Sequence, residues 1–444
     1  MFNLSVRRAN KVGDAARYME KEMKRVKKIL CGKLYDGLKP ELQPDMEILV
    51  EDKKISVVGR KLPAPPDAEI IDLTEATVTP GMIDAHVHPS FFDWRDVYKD
   101  PLYNSNGYRT LAVSHCVRKT LEGGFTTIRS LGWFTEDYIL DVKRAIEEGY
   151  LQGSRMVVAP HVLGADGGHG DMTQVVRNNP VLTDYLRDSC YGLGCGPDFF
   201  AAAVRREKKL GADFIKIMAT GGFSTPNDDP MYMELSDAEL AAIFDTARSL
   251  GISVTAHAYG PEAIQKLISY GIQGIEHGAL MDEKTARMME ESKTYLVPTF
   301  CPFEDAINMD EASMAKKSPD FRRKLIKYQK KLIEGRKIII DSGIKLGYGT
   351  DFVTVHQNYE SGWEYHSWFT NGIDPFRILQ AATKTNSEIL ELDDKIGTIE
   401  PGKLADISGW KRDLLTDPHA LRDCAFVMKE GVVYEAVSHM FEDE

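Results

Sequence analysis

Short apolar runs alternate with amphipathic stretches of helical spacing through most of the chain, the pattern of βα units laid into a parallel sheet. The runs "VTPGMIDAHVH", "FTTIRS", "RMVVAP", "DFIKIM", "ISVTAH", "GIQGIEH", "TYLVPT" and "IKLGYGTD" predict eight strands. Eight points to a closed barrel rather than an open sheet, so an α/β fold of the (β/α)8 TIM-barrel type is expected over 80–385. The helices between them carry their own boundary signals. "SDAE" at Ser236 to Glu239 reads as a capping box, with Gly251 as the stop. Pro261 stands at a first helical position, and Gly271 ends that helix.

Outside this region the period changes. "KILCGKLYDG" and "MEILVEDKKISVVG" read as short strands and turns, and the proline-rich "KLPAPPDAE" leads into the first barrel strand. After the barrel, "IGTIEPGKLADISGW" and "AFVMKEGVVYEA" return to short strands with glycine turns. Residues 29–79 and 386–440 are therefore expected to pair into one small β-sandwich built from both chain ends. Residues 1–28 hold the charged stretch "AARYMEKEMKRVKKIL", expected as a helical extension on the surface or at an oligomer contact, and a homo-oligomer is expected.

Composition narrows the function. The formal charge is 55 − 67 = −12, and the one basic run is the short "KRVKK", which excludes nucleic acid as an expected partner. The six cysteines form no CxxC pair, which suits a reducing, cytoplasmic setting. No run of eighteen apolar residues and no signal-peptide core is present, so no membrane partner is expected.

The chemistry gathers at the strand ends, where barrel active sites lie. His86 and His88, at i and i+2 of an extended run, project from one face and can grip one ion. Lys216 stands inside the apolar "DFIKIM", where a lysine is costly unless its charge is removed or paired. Its lowered pKa leaves a nucleophilic amine, open either to a Schiff base or to a carbamate that binds metal. The fifth, sixth and eighth strands end in His257, His277 and Asp351. Singly, each has an ordinary reading: satisfied polar residues for the histidines, a snorkelling lysine, a helix-capping aspartate. Together they converge from five of eight strand ends on one mouth, which points to a metal centre.

These residues, with the motifs "TPGMIDAHVH", "IKIMATGG", "TAHAYG", "IEHGA", "YGTD" and "IGTIEPGKLADI", resemble the amidohydrolase superfamily of binuclear type, over nearly everything after Ile29. "GADGGHGD" and "MATGGFSTPNDDP" are similar to the branch of prolidase-like carboxypeptidases and ochratoxinase. The resemblance implies two divalent ions, usually Zn2+. His86, His88 and Asp351 would hold one ion, and His257 and His277 the other, with Lys216 bridging as N6-carboxylysine. It further implies a metal-bridging hydroxide that cleaves an amide of a dipeptide or N-acyl amino acid, with Asp351 as proton shuttle. Tyr259 is a candidate for stabilising the oxyanion, and His169 and Arg129 for contacting substrate. Two features depart from the family pattern: Ser130 stands where an aspartate is frequent, and aromatics follow Asp351 in "GTDFVTVHQNYESGWEYHSW". The alternatives are the same site acting on a lactone, a phosphoester or by deamination, a metal-free Schiff-base lysine enzyme, and a silent scaffold.

Overall fold

The computed structural model describes residues 26–90, 104–133, 137–176, 178–189, 191–352 and 359–439. The expected helical extension lies outside these residues except at its end, where Val26, Lys27 and Lys28 open strand β1, Val26–Leu34. The five described cysteines are free, and no helix among the described residues is long and apolar enough to cross a membrane.

Strands β6 (Met82–Val87), β7 (Phe125–Ser130) and β8 (Arg155–Val158) pair in parallel. A second parallel sheet contains β9 (Val162–Ala165), β10 (Leu193–Gly194), β11 (Phe214–Met218), β12 (Ser253–Ala258), β13 (Gly274–His277) and β14 (Tyr295–Val297) in the order β10-β9-β11-β12-β13-β14. The third expected strand thus continues past Pro160 into β9, and Trp133 bridges to His161 in the gap between them. The eighth expected strand, over 344–351, carries a single bridge, Leu296 to Leu346. Its backbone still links both neighbours: Gly347 N donates to Leu296 O (2.8 Å), Ala85 N to Tyr348 O (2.9 Å) and Asp351 N to His86 O (2.8 Å). Hydrogen bonds therefore run from β6 around through β14 and back to β6.

Alternation along these strands separates two environments. Ile215, Ile217, Val254, Ala256 and Ile275 join one apolar cluster with Leu240, Ile243, Ile264, Leu267 and Met289 of the covering helices. The residues between them, Lys216, Thr255 and Glu276, are buried polar groups. The helix Asp237–Leu250 has the expected capping box, and Gly251 closes it at φ 58°. The helix Pro261–Ser269 begins at its proline and ends one residue earlier than expected, with Tyr270 as its cap.

The two chain ends build one eight-stranded sheet, ordered β17-β16-β15-β5-β1-β3-β4 with β2 beside β1. Its members are β2 (Gln43–Pro44), β3 (Glu47–Glu51), β4 (Lys54–Gly59), β5 (Glu69–Pro80), β15 (Ile407–Trp410), β16 (Cys424–Lys429) and β17 (Val432–Tyr434). Ile29, Ile48 and Ile55 from one side share a core with Ile407, Phe426 and Met428 from the other. The β4 edge of the sheet also meets the segment that enters β15, because Lys54 bridges to Leu404 and Ala405 N donates to Lys53 O (2.8 Å). Asn386, where the second terminal stretch was expected to begin, donates to Ile83 O and Tyr348 O, both at 2.8 Å. β5 runs through Gly81 directly into β6, so the terminal sheet positions the strand that bears His86.

Gly431, in the turn between β16 and β17, has φ +75°, and a Cβ there would lie 1.9 Å from Asp52 O. Gly149 has φ +79° with nothing within 4 Å, so it tests left-handed strain alone. Gly149→Ala should lose about 1–2 kcal/mol, and Gly431→Ala ~3 kcal/mol or more because contact is added to strain. Equal losses in thermal unfolding would discard the close approach of the sheet's ends.

Candidate metal centre

The centre is built around Glu276, a residue that sequence reasoning missed. It is fully buried in β13 and gathers partners from three other strands. Arg129 Nη2 donates to its Oε1 (2.6 Å), as does Thr255 Oγ1 (2.6 Å), and His86 Nδ1 donates to its Oε2 (2.7 Å). Burial opposes ionisation, but Arg129 and His86 outweigh it and hold the carboxyl well below its usual range. An ionised carboxylate only accepts, so His86 carries its proton on Nδ1 and turns Nε2 to the interior. His88 is fixed in the same sense by Gly132 O at 2.9 Å.

The Nε2 atoms of both rings face Asp351: Oδ1 lies 3.3 Å from His86 Nε2 and 3.4 Å from His88 Nε2. Asp351 reaches this point with φ +51°. His277, likewise at φ +72°, follows Glu276 directly, yet both side chains meet His86. Regular alternation would separate them, and the left-handed turn brings His277 to the same side. Its Nδ1 meets Thr299 Oγ1 at 2.8 Å. Gly349 is required beside them, since a Cβ there would stand 2.7 Å from His86 Cβ. Asp84, also missed, accepts from His86 N and Thr350 N, both at 3.1 Å, tying the first ligand strand to the Asp351 segment.

The other expected residues arrive at the same place in different roles. His257 packs against His277 with ring centroids 4.7 Å apart, and Lys216 is buried in the adjacent strand, paired in register with Thr255. Burial lowers the Lys216 amine to about 8 and takes His257 and His277 well below the usual imidazole range. Tyr259 stacks on His277 at 5.1 Å and stands edge-on to His257 at 4.8 Å. His169 stacks on His257 at 4.4 Å. Arg129 is the correction. Rather than facing a substrate carboxylate, it is buried, with Nε on Ala85 O, Nη1 on Tyr295 Oη and Nη2 on Glu276. The charge of Glu276 draws it inward as a brace.

The residues fit a metal. Ligand atoms of His86, His277 and Asp351 all lie within 4.8 Å of one another. His86 Nε2 is buried and has no hydrogen-bond partner among the described residues, which leaves it for coordination. The imidazoles of His88, His257 and His277, whose pKa values burial lowers, and the ionised carboxylate of Asp351 join His86 in an N/O donor set suited to zinc, manganese or cobalt.

Replacing Glu276 by Gln leaves shape and removes the charge that orients His86. Metal affinity should fall about 10–100-fold in chelator competition. Wild-type affinity in a folded Glu276→Gln protein would show that His86 needs no such partner.

Comparison with known proteins agrees with this geometry. The amidohydrolase family model matches residues 77–438. An ochratoxinase from Aspergillus niger is 28% identical over 324 residues, 68% of this chain and 64% of the ochratoxinase, so the match spans less than two thirds of that relative. The structure of a Xaa-Pro dipeptidase with methionine in its active site superposes with TM-score 0.81 at 28% identity, covering 93% of this chain and 100% of the dipeptidase. A prolidase complexed with N-methylphosphonate-L-proline gives TM-score 0.80 at 26% identity, with 93% and 100% covered. The match over residues 77–438 takes in every residue of the centre, and the chain belongs to the amidohydrolase family.

Proposed function

We propose that the protein is a metal-dependent amidohydrolase that cleaves an amide or peptide bond in a small substrate of the dipeptide or N-acyl amino acid kind. The observation that carries this reading is the meeting of His86, His88, His277 and Asp351 beside a buried lysine. In this reading the hydrogen-bond circuit through β6 and β14 is a (β/α)8 barrel, and the curled terminal sheet is the small β-domain. The names of the similar proteins, a Xaa-Pro dipeptidase and a prolidase, support the choice of substrate class.

His86, His88, Asp351, His257 and His277 would hold two divalent ions, zinc in this reading, with Lys216 between them. Bound there, the ions supply Lewis acidity and lower the pKa of water. The protein's own residues do the rest. Lys216, lowered to about 8, has a neutral fraction near pH 7; that amine adds to carbon dioxide, releases a proton and becomes the N6-carboxylysine. Asp351 stays ionised although burial opposes it, because His86 and His88 face its carboxylate. It accepts the proton of the attacking water and returns it to the departing nitrogen. Tyr259 keeps its phenolic proton, since burial raises its pKa well above the usual range, and donates to the developing oxyanion. His169, stacked on His257, is the substrate contact.

The test is a screen of zinc-loaded protein against dipeptides, N-acyl amino acids, lactones and aryl phosphates. Turnover of amides is expected, and turnover of none overturns the reading. Asp351→Asn should lower kcat by about 10²–10⁴-fold. Lys216→Ala should lose metal and activity, with partial return on adding a short carboxylic acid. Full activity in either variant refutes the role given to that residue.

A further inference from the structure

Beside the centre lies a buried chain of charge that the proposed chemistry does not use. It begins at Lys324 on the helix Pro319–Asp341, far from the ligand strands in sequence. Lys324 is 3% exposed, and its ammonium donates to Gly222 O (2.7 Å), Thr225 O (2.6 Å) and Asp228 Oδ1. Three donors meet three acceptors, so the cation is fully committed inward. The other oxygen of Asp228 accepts from Gly222 N (2.9 Å), from Thr225 Oγ1 and from His169 Nδ1 (3.0 Å). Thr225 Oγ1 also lies 2.8 Å from His169 Nδ1.

The same helix grips the segment after β11 at three further points. Arg323 donates to Pro226 O (3.1 Å), Lys327 pairs with Asp229 (2.8 Å), and Tyr328 Oη donates to Asp229 (2.7 Å). His169 is held from its other side by Glu234, whose carboxylate oxygens accept from its backbone N at 2.9 and 3.0 Å. Gly222 fits against the ring only because it lacks a side chain, since a Cβ would stand 2.0 Å from His169 Cε1.

We infer that Lys324 and Asp228 are positioning residues that fix His169 as its Nδ1–H tautomer, stacked on His257, with Nε2 as the nitrogen offered to substrate. Lys324 orients Asp228 through one oxygen and leaves the other to take the imidazole proton. A buried ion pair adds little net stability over an apolar pair of similar volume. What Lys324 and Asp228 contribute is one orientation of one ring. Only the effect on turnover rests on the amidohydrolase reading; the tautomer does not.

The experiment is nitrogen NMR of the full-length, zinc-loaded protein carrying 15N-labelled histidine, with the His169 signals assigned by their loss in His169→Gln. The wild type should show Nδ1–H. Asp228→Asn should move the proton to Nε2, and Lys324→Gln should give a mixture of both forms. Where Lys324→Gln does not fold, Lys324→Met is read in the same way. On any amide that the protein cleaves, both variants should lose about 10–100-fold in kcat with KM little changed and metal content intact. An unchanged His169 tautomer in a folded Asp228 or Lys324 variant overturns the inference. If wild-type protein cleaves no amide, the functional reading fails while the spectra still decide this one.

Discussion

The site depends on keeping one carboxylate charged in the dry interior. An isolated buried carboxylate takes up a proton, because the desolvation cost is too large to bear alone. Glu276 escapes that outcome because Arg129, Thr255 and His86 each spend a hydrogen bond on it. The arrangement reads in both directions. The neighbours hold the charge, and the charge orients the neighbours, drawing Arg129 away from any substrate and directing the proton of His86. Since these groups come from β6, β7, β12 and β13, the same contact also sets the register between four strands.

Strain collects around that anchor. His277, Thr299 and Asp351 all have positive φ, and for a β-branched residue such as Thr299 this is a genuine outlier. They persist because the surroundings over-determine them. Glu364, fully buried, accepts from Phe300 N and Cys301 N at 2.8 Å, just after Thr299, while Thr299 Oγ1 meets His277. Asp351 is held through the bond from its own N to His86 O. The centre is thus preorganised by backbone that would not adopt these angles on its own.

The candidate ligand residues were legible because they stand at the ends of apolar runs, and a run ending in His, Lys or Asp is visible along the chain. Glu276 was not. It looked like the polar neighbour of His277, and its partners lie 21, 147 and 190 residues away. Arg129 was misjudged for the same reason: the charge that claims it is distant in sequence. The eighth strand showed its apolar pattern correctly, but pattern does not reveal ladder bonds. Positive φ at Asp351 and the close approach at Gly349 leave only one bridge there. The terminal strands were recognised as strands, whereas their order within one sheet depends on pairing between distant segments.

That pairing has a consequence for how the protein is made. Thr77 in β5 pairs with Trp410, and Gly81 N donates to Asp406 O (2.8 Å), just before the strand that carries His86. Contacts of such separation impose a high contact order and form late. During synthesis the strand that carries His86 emerges well before the segment that anchors it. A nascent chain therefore holds these histidines on an unseated strand until the distant anchor pairs with it.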